Sequence, residues 1–244
     1  MWTKKQIADH IEAGALLERI KNDVYSLIQQ NKRIPEKEVI TFIKKAYKKY
    51  GLINDNKKES CIAAFGKNTS HVHYFPSSSS NFKLKTGNLI LLDMWARLNK
   101  NNAPYADITW MFYVGKKIPN DIQSKWNVLI KSRDTAIKFI QKNKFPRGVD
   151  IDRVAHDYLG ESGFGKNILH TIGHSLGLKH PHGEIPGINW REYSRIQKNI
   201  GYTIEPGIYF KGKYGFRTEI DFYVNDENKV IITTPLQSKL DLIN

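Results

Sequence analysis

Four acidic side chains stand where the surrounding sequence calls for apolar ones. Asp93 closes the run Asn88-Leu89-Ile90-Leu91-Leu92, and Asp107 follows fourteen positions later in Tyr105-Ala106-Asp107-Ile108-Thr109. Glu205 lies in Tyr202-Thr203-Ile204-Glu205-Pro206-Gly207-Ile208-Tyr209, and Glu219 in Gly215-Phe216-Arg217-Thr218-Glu219-Ile220-Asp221. These segments carry the β-branched and aromatic residues of strands. Two strands joined by a hairpin would set the first two acids side by side, and the downstream pair repeats the arrangement. A carboxylate among Ile, Leu and Tyr is costly unless it is paired or holds a metal. Four of them converging would repel strongly without cations.

The second feature is His170-Thr171-Ile172-Gly173-His174-Ser175-Leu176-Gly177-Leu178-Lys179-His180-Pro181-His182, which holds four of the chain's eight histidines. Imidazole is a common neutral metal ligand and a ready proton carrier. Thr171 stands where a helical H-E-x-x-H zinc motif would need its glutamate, and Gly173, Gly177 and Pro181 oppose a stable helix. Extended chain with tight turns is the expectation. A lone histidine here could equally cap a turn or fill the core; the acids on either side favour a site.

The order Asp93, Asp107, His174, Glu205, Glu219, each in its local phrase, resembles the five-ligand signature of the pita-bread metallopeptidases, the family of methionine aminopeptidase, aminopeptidase P and prolidase. The resemblance runs from residue 7 to residue 235. It implies an α+β fold of two pseudo-symmetric α/β halves, with a curved antiparallel sheet cradling a dinuclear metal site, in a single catalytic domain over residues 1–244. A faint internal echo, Pro35-Glu36-Lys37-Glu38-Val39 against Val149-Asp150-Ile151-Asp152-Arg153-Val154, agrees with two related halves. By resemblance Asp93 chelates one divalent ion, Asp107 and Glu219 bridge two, and His174 and Glu205 complete the second. Glu205 is also the expected proton shuttle. Manganese is the first expectation for both ions, with cobalt, zinc or iron as alternatives, since oxygen-rich ligation with one imidazole suits them all.

Further positions carry over. His73, in His73-Tyr74-Phe75-Pro76, matches a family histidine that contacts substrate, although it stands a few residues farther from Asp93, the difference falling in a serine loop. His182 resembles the later histidine that stabilises a tetrahedral intermediate; Pro181 implies an insertion and leaves His180 as its rival. His170 matches an extra histidine of aminopeptidase P-like members, and His170, His180 and Arg217 are expected on the substrate side. Arg217-Thr218-Glu219 looks like the aminopeptidase P and prolidase branch. That branch usually carries an additional N-terminal domain; here the catalytic domain alone is expected. Asp93 is followed by Met94-Trp95-Ala96-Arg97, bulkier than the small residues common there, in a hairpin longer than usual.

The function implied is a peptidase that uses two divalent metal ions to hydrolyse an N-terminal peptide bond, Xaa-Pro first. Methionine aminopeptidase is the alternative, supported by the short chain and opposed by Arg217. A non-catalytic pita-bread module holding protein or RNA, or a metal-free creatinase-like hydrolase, is disfavoured because all five ligand positions are kept. A peptide is the expected partner, with a homodimer as one assembly.

Composition bounds the rest. The chain has 244 residues and a formal charge of +14, but its lysines are scattered, the densest cluster being Lys44-Lys45-Ala46-Tyr47-Lys48-Lys49, and no nucleic-acid motif is present. Nucleic acid is not expected as a partner. No apolar run approaches the roughly 18 residues of a membrane span, and the N-terminus lacks a signal peptide's apolar core, so the cytoplasm is expected. The single Cys61 excludes an internal disulfide and reads as a small core residue.

Apolar spacing predicts helices over residues 5–30, from near Pro35 to before Gly51, over 121–141, and from Asp150 or Asp152 to near Gly160. Strands are expected at 60–66, at the edge His71-Val72-His73-Tyr74, in a hairpin over 84–114, through the histidine stretch, and at 201–210, 216–224 and 229–233. A serine loop is expected at 76–81.

Overall fold

The computed structural model describes residues 1–55, 60–77 and 82–244, so most of the expected serine loop lies outside the described residues. Helix α1 (Lys4–Gln30) starts at a capping box: the Thr3 hydroxyl accepts from the Gln6 amide at 3.2 Å while the Gln6 carbonyl oxygen accepts from the Thr3 amide at 2.9 Å. Ala13, Leu17, Ile20, Val24 and Ile28 form its buried stripe. Helix α2 (Glu36–Lys49) opens after Pro35, with Glu36 and Glu38 in its first turn and Lys48 and Lys49 in its last, matching the helix dipole. Gly51, at φ +70°, follows its end.

Strands β1 (Leu52–Ile53) and β2 (Cys61–Phe65) both pair antiparallel with β3 (Leu89–Leu98), which pairs antiparallel with β4 (Tyr105–Val114). Helices α3 (Asn120–Lys142) and α4 (Gly148–Glu161) begin the second half. There β5 (Gly201–Ile204) pairs with β8 (Ile220–Val224), β6 (Gly207–Phe210) with β7 (Tyr214–Arg217), and β9 (Val230–Ile232) extends β8, all antiparallel. The last strand, β10 (Asp241–Ile243), runs parallel to β4 and is the one departure from antiparallel order among these strands. A long and a shorter helix back each half, the α+β arrangement that the resemblance implies. Three apolar clusters hold it: α1 and α2 on the first sheet, α3 and α4 on the second, and a third joining Trp126 of α3 to Leu91, Met111, Ile208 and Phe216 between them.

Two expected strands are absent. His71 to Tyr74 form no ladder, because Gly66 at φ +52° turns the chain into a 3-10 turn (Gly66–Ser70), where the Thr69 and Ser70 hydroxyls donate to the Gly66 and Lys67 carbonyls. The histidine stretch makes only single bridges, Gly173 with Ile188, Ser175 with Tyr202 and Leu176 with His182, its glycines and Pro181 interrupting any longer pairing. The run 201–210 is likewise split in two around Glu205 and Pro206, and 216–224 around Thr218 and Glu219. β1 and β10 were not expected.

Glu36 fastens the segment that carries His73. Fully buried at the start of α2, its carboxylate accepts from the Phe65 amide at 2.7 Å, the Asn68 side chain at 3.0 Å, the Tyr74 hydroxyl at 2.7 Å and the Phe82 amide at 3.1 Å. Glu36→Ala would strand several of these donors. A loss of about 3 kcal/mol or more is expected, since each buried unsatisfied donor costs about 1–3 kcal/mol. A urea midpoint equal to that of the unaltered protein would refute this.

Candidate metal centre

Strand register sets the acids. In the β3–β4 ladder Asp93 lies opposite Thr109 and Trp95 opposite Asp107. Side chains alternate along a strand, so Asp93, Trp95, Asp107 and Thr109 share one face, with the two acids diagonal rather than directly opposed. In the second half the β5–β8 ladder ends at Ile204 opposite Ile220, and the β6–β7 ladder starts at Gly207 opposite Arg217. Glu205-Pro206 and Thr218-Glu219 fill the gap. Pro206 has no amide to pair there, but its carbonyl accepts from the Thr218 amide at 3.3 Å. The histidine stretch crosses at this point: the Glu205 amide donates to the Ile172 carbonyl at 2.7 Å and the Thr203 amide to the His174 carbonyl at 2.9 Å. A Cβ on Gly173 would run into the Thr203 carbonyl, so only glycine lets His174 come this close.

All ten side chains expected from the sequence, His73, Asp93, Asp107, His170, His174, His180, His182, Glu205, Arg217 and Glu219, line one cavity of about 820 Å³. Ligand atoms of Asp107, His174 and Glu219 all lie within 4.8 Å of one another. His174 Nε2 is 3.4 Å from Glu205 Oε1 and 3.9 Å from Asp107 Oδ2. Its Nδ1 meets the Ser175 carbonyl at 2.9 Å, a contact that takes the proton on Nδ1 and leaves the Nε2 lone pair facing the acids. His182 stacks on His174, ring centroids 3.9 Å apart. His180 and His182 both also line a second cavity of about 280 Å³.

Asp93 turns toward Arg217 instead of the tight group. Arg217 Nη2 donates to Asp93 Oδ2, Nε to the Thr109 hydroxyl at 3.2 Å, and Nη1 to the Val72 carbonyl at 3.2 Å. His170 stands apart, its Nε2 accepting from the Tyr209 hydroxyl at 2.9 Å.

The site's protonation preferences follow from burial. Desolvation, then mutual repulsion, pushes the carboxyls of Asp107 and Glu219 well above the ordinary range. Desolvation also lifts Glu205 to about 7, against the pull of Arg217. Asp93 is raised as well, although Arg217 draws it back. Burial lowers His174 and His182 to about 4. The imidazole is already in the neutral form that ligates a metal, and a divalent cation would reverse the acids' resistance to ionising together. Asp107 Oδ1 is buried and has no hydrogen-bond partner among the described residues, an orphaned acceptor that a bound cation would satisfy. The donor set, four carboxylates and an imidazole, fits divalent metals.

The profile of metallopeptidase family M24 matches residues 8–226. The chain belongs to that family. An uncharacterized peptidase of Staphylococcus epidermidis is 28% identical over 233 residues, covering 95% of this chain and 62% of its own. One from Staphylococcus aureus is 29% identical over 202 residues, 82% of this chain and 53% of its own. The M24 chain thus spans less than two thirds of these relatives. Among solved structures it resembles X-Pro aminopeptidase from Thermotoga maritima, with a TM-score of 0.87 and 25% identity over 99% of this chain and 64% of that one. A dipeptidase from Pyrococcus horikoshii gives 0.83 and 26% over 99% and 63%. No helix among the described residues is long and apolar enough to cross a membrane.

Several side chains that support the M24 site were not singled out from sequence. Thr109 donates to Glu219 Oε2 at 2.9 Å, and Thr203 to Glu205 Oε1 at 3.3 Å. Asp221 Oδ2 accepts from the Asp107 amide at 2.8 Å, and Asp152 Oδ1 from the Ile172 amide at 3.0 Å. The first three were within reach, since each lies two positions from an acid and so on the same face of an extended chain. Asp152 is on α4 and Tyr209 on β6, and nothing local marks either.

Metal-free protein is expected to lose stability as pH rises from about 6.5 to about 8. A carboxyl raised in the folded state, such as Glu205 from 4.5 to about 7, stabilises below its unfolded value and loses that contribution as pH passes the folded one. The lowered histidines His170, His174 and His182 act oppositely, but their contribution is complete above their ordinary 6.5. Calorimetric melting in a chelator checks this, and manganese should restore the midpoint at the alkaline end. A midpoint that climbs through this window without metal would contradict it.

Proposed function

We propose that this M24 chain is a dinuclear peptidase that removes a residue preceding proline or splits Xaa-Pro dipeptides. The observation that carries the reading is the meeting of Asp107, His174 and Glu219 within 4.8 Å in a cavity that also holds Asp93 and Glu205. The likeness to an X-Pro aminopeptidase and a dipeptidase supports the substrate class. Two divalent cations, manganese foremost, supply Lewis acidity toward a peptide carbonyl and a water nucleophile when bound. Asp93, Asp107, His174, Glu205 and Glu219 would hold them.

The chain's own groups do the rest. Glu205, held by the Thr203 hydroxyl, accepts the proton of the attacking water and passes it to the leaving amine. His182, stacked against His174, is better placed than His180 to donate to the oxygen that becomes negative in the transition state, and His73 lines the same cavity. Arg217 aims the Asp93 carboxylate and opposes the burial that would protonate it. His170, fixed by Tyr209, stands at the substrate side.

Manganese-loaded protein is expected to cleave Xaa-Pro peptides in preference to Met-Ala peptides; the reverse order would assign the chain to the methionine aminopeptidase type. Glu205→Gln should lower kcat by about 10²–10⁴. Asp107→Asn should abolish turnover and reduce the manganese bound per chain, measured by metal analysis after gel filtration. Full activity in Asp107→Asn would reject the ligand set.

A further inference from the structure

We infer that Trp95 is the specificity-determining residue for the substrate's first side chain and that it selects large apolar residues there. This rests on the peptidase reading. Trp95 lies on the same face of β3 as Asp93 and two residues beyond it, about 6.6 Å along the strand. It lines the cavity, only partly buried, and packs with Ile62 and Phe75 at the edge of the third apolar cluster. Ile62 lies opposite Asp93 on β2 and also lines the cavity, so the strand pair beside Asp93 offers apolar side chains on either side of it.

The next residue on that face, Arg97, does not make it cationic. Arg97 Nε and Nη2 are clamped by the two oxygens of Asp55 at 2.9 and 3.1 Å, and the Tyr105 hydroxyl donates to the same carboxylate at 2.8 Å. Beyond the indole the face therefore ends in a neutralised pair. In the peptidase reading a peptide sets its scissile carbonyl at the end of the cavity where Asp93, Asp107, Glu205 and Glu219 would hold the divalent ions, and the Cα of its first residue is one bond from that carbonyl. Its first side chain then leaves from beside Asp93, and the nearest wall is the indole of Trp95. A leucine or phenylalanine reaches across that interval and displaces water from the ring. A glycine leaves the ring wet, and an acidic side chain would face it without a partner.

The test compares manganese-loaded wild type, Trp95→Ala and Trp95→Phe on Leu-Pro-Ala, Phe-Pro-Ala and Gly-Pro-Ala, with Leu-Pro-Ala also set against Leu-Pro-Lys. Wild type should favour the leucine and phenylalanine peptides over the glycine peptide by about tenfold or more in kcat/KM. In Trp95→Ala that ratio should collapse to within about threefold, through KM rather than kcat, and Trp95→Phe should recover most of it. The third residue should leave the effect unmoved. An equal loss on all peptides, or a ratio that survives in Trp95→Ala, would overturn the assignment. If no peptide is turned over, the peptidase reading falls. Calorimetric affinities for the same peptides then decide Trp95 alone: a preference abolished by Trp95→Ala upholds it, and equal affinities overturn it.

Discussion

Four carboxylates share one cavity with a single guanidinium, and the rest of the structure is arranged around that imbalance. Two like charges about 4 Å apart at an effective dielectric near 20 repel by about 4 kcal/mol. Arg217 offsets part of this at Asp93 and is itself raised far above its ordinary range by the acids around it. The remainder is left to protons or to cations. Burial first, and then this repulsion, makes Asp107 and Glu219 hold their protons, and an oxygen of Asp107 has no partner among the described residues.

The constraint reaches into the layer behind the site. Thr109, Thr203 and Asp221 each fix the direction of an acid or its backbone, and Asp152 fixes the segment that leads to His174. Asp107 comes from the half backed by α1 and α2; His174 and Glu219 come from the half backed by α3 and α4. A cation held by all three would join the halves, so binding and folding draw on the same free energy. The glycine at 173 is part of the same device, because the histidine strand must cross Thr203 in backbone contact.

Much of this was legible from pattern. Helices α1 to α3 followed from apolar spacing to within a residue or so, and α4 began slightly earlier than expected, because their burial repeats along the chain. The site was legible because charge inside apolar strands is rare enough to stand out. The breaks around Glu205 and Glu219 were not, since an apolar run reads as one strand whether or not its ladder is interrupted. Nor was the irregular path of His71 to Tyr74, which Glu36 and Arg217 impose from elsewhere. β10 escaped because three residues carry too little periodicity to be seen.

The sequence by itself marked the side chains that meet in the cavity and the kinds of segment in which they lie, because residue type and alternation are local properties. Only the tertiary structure decided that Asp93 faces Arg217 while Asp107 joins His174, that His182 rather than His180 stacks on His174, and that Trp95 walls the cavity. Those outcomes depend on register and on how separate segments cross, Asp93 and Arg217 lying 124 positions apart. No short stretch of chain encodes them, since they are settled by which packed arrangement buries the apolar faces while leaving the acids together.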